Sequence, residues 1–122
     1  GQFQMVLIAR ALVAEPRILV LDEPETGLDF HNQLVVLTLL RRLVRRDNLT
    51  VVMNTHYPAH ALRIADHVIL VDSHHRPTSG PVAEVMTEKR LSDVFDVDVR
   101  ISDIGYRSRQ IPTVTAMDVR AR

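Results

Sequence analysis

Two short runs built almost wholly of aliphatic residues, "RILVLD" at 17–22 and "NLTVVMN" at 48–54, flank one long helical stretch, Phe30 to Arg46. Runs this short and this apolar suit strands buried on both faces of a parallel sheet, because a half-exposed strand would alternate polar and apolar residues. Parallel neighbours need a crossover of about a dozen residues or more, usually a helix. The pattern therefore points to a β–α–β unit. A third run, "HVILVD" at 67–72, follows a helix expected over Pro58 to Ala65 and reads as a further strand of the same α/β parallel sheet. In such sheets the loops at the carboxyl ends of the strands face the ligand. Asp22 and Glu23 stand at the first of these ends, and "NTH", finishing in His56, stands at the second.

The remaining segments fit around that unit. "FQMVLIARALVAEP" has the length and composition of a helix closed by Pro16. "EPETGLD" supplies Pro24 and Gly27 as turn residues, and Asp29 is placed to cap the next helix. Within that helix Leu34, Leu37, Leu40 and Val44 form an apolar stripe, while Arg41, Arg42, Arg45 and Arg46 gather near its end, where cations complement the helix dipole. "SHHRPTSG" reads as a turn and a short extended piece. Beyond Gly80 the style changes. "PVAEVMTEKRLSDVF" gives two short helices, the first beginning at Pro81, and "DVDVRISDIGYRSRQIPTV" gives a hairpin turning near Asp103 to Gly105. The closing "AMDVRAR" is expected to fray. Two parts follow: 1–80, which carries the motifs, and 81–122, a small helical and hairpin extension.

Composition removes several function classes. Fifteen basic and fifteen acidic residues cancel, so bulk charge offers no reason to expect nucleic acid as a partner. The chain has no cysteine, hence neither a disulfide framework nor a thiolate metal site. Its longest apolar run, "LVVLTLL" at 34–40, falls far short of the roughly 20 residues that span a bilayer. The chain opens on Gly1 and Gln2, with its first methionine at Met5, so a processed, truncated or partial product is expected.

The adjacent acids at the first strand end are the strongest chemical signal. One carboxylate can hold a magnesium ion that keeps most of its water, with substrate phosphates completing the shell. A neighbouring carboxylate can orient or deprotonate an attacking water. His56 falls beside Asp22 and Glu23 if the two strands are sheet neighbours, and it could donate a hydrogen bond to a phosphate oxygen. Gly1 and Gln2 directly precede a helix start, where backbone N–H groups favour an anion. The other histidines carry less. His56 and His60 are four apart but lack the intervening glutamate of a zinc protease and have Pro58 between them, His74 and His75 sit in a polar turn, and His31 and His67 begin elements.

Taken in order, "GQFQMVLIARALVAEPRILVLDEPETGLD" and "VVMNTH" resemble the second half of an ABC-type ATPase, the nucleotide-binding subunit of a transporter. Gly1 and Gln2 match the end of that family's "LSGGQ" signature, "RILVLD" its Walker B strand, "TGLD" its D-loop and His56 its switch histidine. The resemblance implies a partial P-loop NTPase (RecA-like) fold that uses ATP and Mg2+. It further implies that Asp22 positions the metal, Glu23 is the catalytic glutamate, His56 senses the γ-phosphate, Gly1 and Gln2 cap nucleotide held by an opposite subunit, and Asp29 communicates across the dimer. Glu25 departs from the family, which usually has threonine or serine there. The tail "GPVAEVMTEKRLSDVFDVDVRI" is similar to the end of ATPases serving importers of iron–siderophores, haem and vitamin B12. Implied partners are a second ATPase subunit and a transmembrane permease, with the protein peripheral on the cytoplasmic face of the cell membrane.

No "G-x-x-x-x-G-K-(S/T)" occurs among residues containing only four glycines, so this chain lacks the loop that cradles the β- and γ-phosphates. The expectation is a carboxyl-terminal half of such a subunit that does not hydrolyse ATP alone. Strands that the other half would cover should expose apolar surface, which invites self-association. Two other classes stay open: a non-catalytic interaction domain, and part of a DNA-repair or chromosome-organising ATPase. The "EVMT…VFDV" tail and the absence of a long heptad run favour the transporter.

Overall fold

The computed structural model describes residues 2–74 and 76–121, so Gly1, His75 and Arg122 lie outside the described residues. The chain forms two compact units, Gly1–His56 and Tyr57–Arg122. This packing division falls earlier in the chain than residue 80, the boundary that the extent of the motifs predicts.

The first unit is the expected β–α–β arrangement preceded by a helix. α1 (Gln2–Leu12) stops before Pro16, β1 is Ile18–Asp22, α2 is Phe30–Asp47 and β2 is Thr50–Asn54. β1 and β2 pair in parallel, from Ile18 opposite Thr50 to Asp22 opposite Asn54. α2 starts where Asp29 Oδ1 accepts the Asn32 N–H at 2.8 Å, an N-cap that satisfies one of the helix's orphan donors. It ends at Asn48, whose left-handed φ of 52° turns the chain towards β2.

Ile8, Leu19, Val36, Leu40 and Leu49 form the core of this unit, with Leu21, Val51 and Met53 packed against it. One expectation is corrected here. Leu34 is exposed and Val36 takes the buried position on α2, so the core stripe runs through Val36, Leu37 and Leu40. The strands are covered on one face only. Leu19, Leu21, Val51 and Met53 point into the core, while Ile18, Val20 and Val52 on the opposite face are 59%, 72% and 53% exposed. The cause is the period of two in a strand: α1 and α2 contribute to a single packed cluster, leaving alternate residues without a covering layer.

In the second unit the third strand behaves differently from expectation. β3 (His67–Leu70) is not hydrogen-bonded into the parallel pair. It pairs antiparallel with β4 (Thr78–Pro81), Val68 opposite Gly80. The short extended piece after the "SHHRP" turn returns the chain alongside β3, and a local partner reached through a brief connection closes cheaply. α3 (Pro58–Ile64) begins with Pro58 in its first turn, where a missing N–H costs no helical bond.

α4 (Val82–Val85) and α5 (Glu88–Phe95) are the two short helices expected after Gly80. β5 (Val97–Tyr106) and β6 (Arg109–Val119) form the hairpin. Its turn is Arg107–Ser108 rather than Asp103 to Gly105, with Arg107 adopting a left-handed φ of 55°. Gly105 instead lies in β5 opposite Gln110. Within the segment expected to fray, β6 is paired to Val119, and Arg120 Nη1 binds Asp93 Oδ1 at 2.7 Å. Met86, Leu91 and Val99 make a separate core, packed with Leu62, Val68, Leu70 and Val114.

Candidate active site at the ends of β1 and β2

Parallel pairing in register brings the ends of β1 and β2 side by side, with Asp22 opposite Asn54 as the last ladder position. Immediately beyond it Glu23 leaves the strand with φ of 44°. A left-handed conformation is uncommon for glutamate and costs on the order of 1–2 kcal/mol, so surrounding contacts must hold it. They do. The Glu23 N–H donates to Asn54 Oδ1 at 2.8 Å and to the Asn54 carbonyl at 3.2 Å. The loop then folds through two turns, Thr26 N–H to the Glu23 carbonyl at 3.1 Å and Leu28 N–H to the Glu25 carbonyl at 3.3 Å, with Gly27 at φ 77°. That φ is one glycine adopts without a Cβ penalty.

This path turns the Glu23 side chain towards the β2 exit, where His56 Nδ1 lies 2.7 Å from Glu23 Oε1. A carboxylate only accepts, so Nδ1 carries the shared proton and donates. Both side chains are partly open to solvent, and exposed pairs of this kind contribute less than about 1 kcal/mol to stability. The importance of the contact is positional: it sets an acid and an imidazole within one hydrogen bond at the ligand-facing edge of a parallel sheet.

The other expected site residues fall as follows. Asp22 is exposed at the last position of β1 and offers a hard oxygen donor. Among the described residues no three His, Cys, Asp or Glu side chains gather to hold a metal ion. A lone carboxylate nevertheless fits magnesium, which keeps several waters and takes its remaining ligands from phosphates. Asp29 is engaged locally, its Oδ1 accepting from both Asn32 N–H at 2.8 Å and Asn32 Nδ2 at 2.9 Å. The backbone hydrogen bond from Asn32 holds its carboxyl below the ordinary value of 3.8. Gln2 is exposed at the start of α1, and Gly1 lies outside the described residues. Asn54 and the Glu25–Thr55 pair are participants that residue types did not single out. Asn54 could have been found from its register position opposite Asp22, whereas nothing in a loop reading "EPETG" signals that Glu25 is buried.

Known proteins bear on this geometry. No protein-family model matches the chain. It is 44% identical over 90 residues to the molybdenum import ATP-binding protein ModC of Mycobacterium tuberculosis, covering 74% of this chain and 24% of that protein. It is 40% identical over 101 residues to the achromobactin transport ATP-binding protein CbrD of Dickeya dadantii, covering 83% and 38%. Its homologues are ATP-binding subunits of ABC transporters. Another, the molybdate import ATP-binding protein MolC of Haemophilus influenzae, is 38% identical over 107 residues, 88% of this chain and 42% of that one. The chain thus spans between about a quarter and just under half the length of these ABC subunits. Among solved structures, a chain of a transporter described as metal-chelate ABC type, in an inward-facing conformation, matches with a TM-score of 0.91 and 32% identity over 96% of this chain and 47% of its own. The mixed α/β fold with its small parallel sheet is that of part of an ABC ATPase domain.

Proposed function

We propose that the chain is part of the ATP-hydrolysing subunit of an ABC importer and carries the carboxylate half of its active site. The observation that carries this reading is the Glu23–His56 pair at the ends of neighbouring parallel strands, one residue beyond Asp22. Asp22 would hold Mg2+, and Gln2, together with Gly1, would contact nucleotide bound by a second subunit. Bound magnesium would neutralise phosphate charge during transfer.

Glu23 is the general base or water-orienting group: its Oε1 is fixed by the His56 proton, leaving the other oxygen to accept from a water. His56, whose Nδ1 donates to Glu23, would donate to a phosphate oxygen through Nε2 in its doubly protonated form. Asp29 would act across the subunit interface while capping α2. The phosphate-cradling loop is absent from these residues, so this chain alone is proposed not to turn over ATP.

The cargo is proposed to be an iron chelate such as a siderophore or haem, or cobalamin. The achromobactin-transport relative and the metal-chelate type of the solved neighbour support a chelate, while the molybdate-import relatives make molybdate the competing cargo. The site reads phosphate and metal rather than cargo, so selection would fall to a permease. No helix among the described residues is long and apolar enough to cross a membrane. A peripheral position on the membrane's inner face, held by that permease, is part of the same proposal. The transport subunits among the relatives favour this reading over DNA repair.

The test uses the parent protein that contains these residues together with a phosphate loop. Glu23→Gln should lower magnesium-dependent ATP turnover by on the order of 100-fold or more while leaving nucleotide binding in place. Unchanged turnover in that variant would sink the assignment.

A further inference from the structure

Glu25 is the one acidic or basic residue that is wholly buried among the described residues, with 0% of its surface exposed. It sits two residues beyond Glu23 in the loop that leaves β1, far from any strand pairing of its own. Burying a carboxyl group is unfavourable unless hydrogen bonds replace its water, so a loop that encloses one does so around a specific partner. One such partner is Thr55, whose hydroxyl donates to Glu25 Oε1. Thr55 immediately precedes His56.

The ladder between β1 and β2 ends at Asp22 and Asn54. Beyond it, side chains must hold the two exit loops together. Asn54 does so at the strand's last residue by receiving the Glu23 N–H. The Thr55–Glu25 bond does so one residue later, at a buried carboxyl in the loop and next in sequence to His56, whose side chain is 54% exposed. An exposed ring on an exposed loop has many orientations open to it, and a buried anchor on the preceding residue restricts them.

We propose that Glu25 is a positioning residue: its buried carboxylate grips the Thr55 hydroxyl and so presents His56 Nδ1 to Glu23. Any consequence for turnover rests on the ATPase reading above, whereas the placement of His56 does not. Removing either end of the anchor should release the ring, and removing both should release it no further, because the bond between them is already broken.

The experiment is nitrogen NMR of the histidine rings in the 122-residue chain, with His56 assigned by loss of its signals in His56→Gln. In the unsubstituted chain His56 carries its proton on Nδ1, donated to Glu23. Glu25→Leu and Thr55→Val should each abolish that Nδ1–H preference, the double variant should look like either single one, and Glu25→Gln should retain it because its amide oxygen still accepts from Thr55. If Glu25→Leu fails to fold, shown by lost amide dispersion in residues 2–56, the near-isosteric Thr55→Val decides alone. A folded Thr55→Val chain with the His56 Nδ1 proton unchanged would overturn the proposal. No nucleotide enters the measurement, so failure of the ATPase reading would leave its outcome standing.

Discussion

The two units of the chain both leave apolar residues exposed, and differ in how their elements are held together. The first buries one face of a two-stranded parallel sheet under α1 and α2 and leaves Ile18, Val20 and Val52 open on the other face. The second also leaves apolar residues such as Ile69 and Met117 open, and adds polar ties between its elements. Its hairpin is tied to α5 by Glu88, which accepts from Ile101 N–H and from Arg100 at 2.9 Å each, and by buried Ser92, whose hydroxyl accepts from Val99 N–H at 2.9 Å. Asp93 adds Lys89 at 3.0 Å and Arg120 at 2.7 Å. The candidate site residues all lie in the first unit, whose packing is apolar, and none in the second, whose elements are joined by charged and polar side chains.

The sharpest way to break the comparison is to empty one core at a time. Leu40→Ala in the first unit and Leu91→Ala in the second each remove a side chain at most 1% exposed and should destabilise by about 2–5 kcal/mol. Hydrogen exchange should show the loss of protection confined to residues 2–56 in the first variant and to residues beyond 57 in the second. Equal loss in both units from either change would show that they do not act separately.

The open sheet face should also reveal itself in solution. The chain is expected to self-associate at rising concentration, and Val20→Lys with Val52→Lys should shift sedimentation towards monomer, since both residues lie on the uncovered face. Equivalent charge on the second unit's exposed strand, Met117→Lys, should change association less.

Acid should separate the units more gently. Hydrogen bonds from Arg120 and then Lys89 hold Asp93 below its ordinary 3.8, and the Ile101 N–H and then Arg100 hold Glu88 below its ordinary 4.5. A carboxylate with a depressed native pKa stabilises the fold at pH values above its unfolded value, and that stabilisation is lost as pH falls through the native one. The second unit should therefore weaken as pH falls below about 4.5, and Asp93→Asn with Glu88→Gln should flatten the decline. In the first unit Asp29 contributes in the same direction through its cap. An acid profile of the second unit unchanged by the double substitution would remove electrostatic closure from the comparison. The smallest effect is expected from Thr87→Ala. It deletes the hydroxyl that caps α5 by accepting from Arg90 N–H at 3.3 Å, and should lower melting stability by about 1 kcal/mol.

How far the sequence could be read follows the same division. β1, α2 and β2 were legible because an all-apolar strand, a capped helix and a second apolar strand leave few alternatives, and Asp29 announced the cap it makes. The partner of β3 was not legible. An apolar run signals a strand but not its neighbour, and the short β4 "TSGP" has no strand-like composition of its own. The hairpin turn was misplaced because Asp103 and Gly105 are turn-forming residues, yet the turn falls at Arg107–Ser108, where no glycine or proline marks it. At the site, the meeting of Glu23 and His56 depended only on the strands being adjacent, which parallel register supplies. The burial of Glu25 depended on how a loop packs, and loop packing has no period to read.

The central claim is that Asp22, Glu23 and His56 form part of an ATPase site that needs a phosphate-binding loop from outside these 122 residues. Magnesium-dependent ATP hydrolysis by the pure chain tests it most directly. The account predicts no turnover above the buffer rate, unaltered by Glu23→Gln. Turnover that requires magnesium and disappears in Glu23→Gln would contradict it.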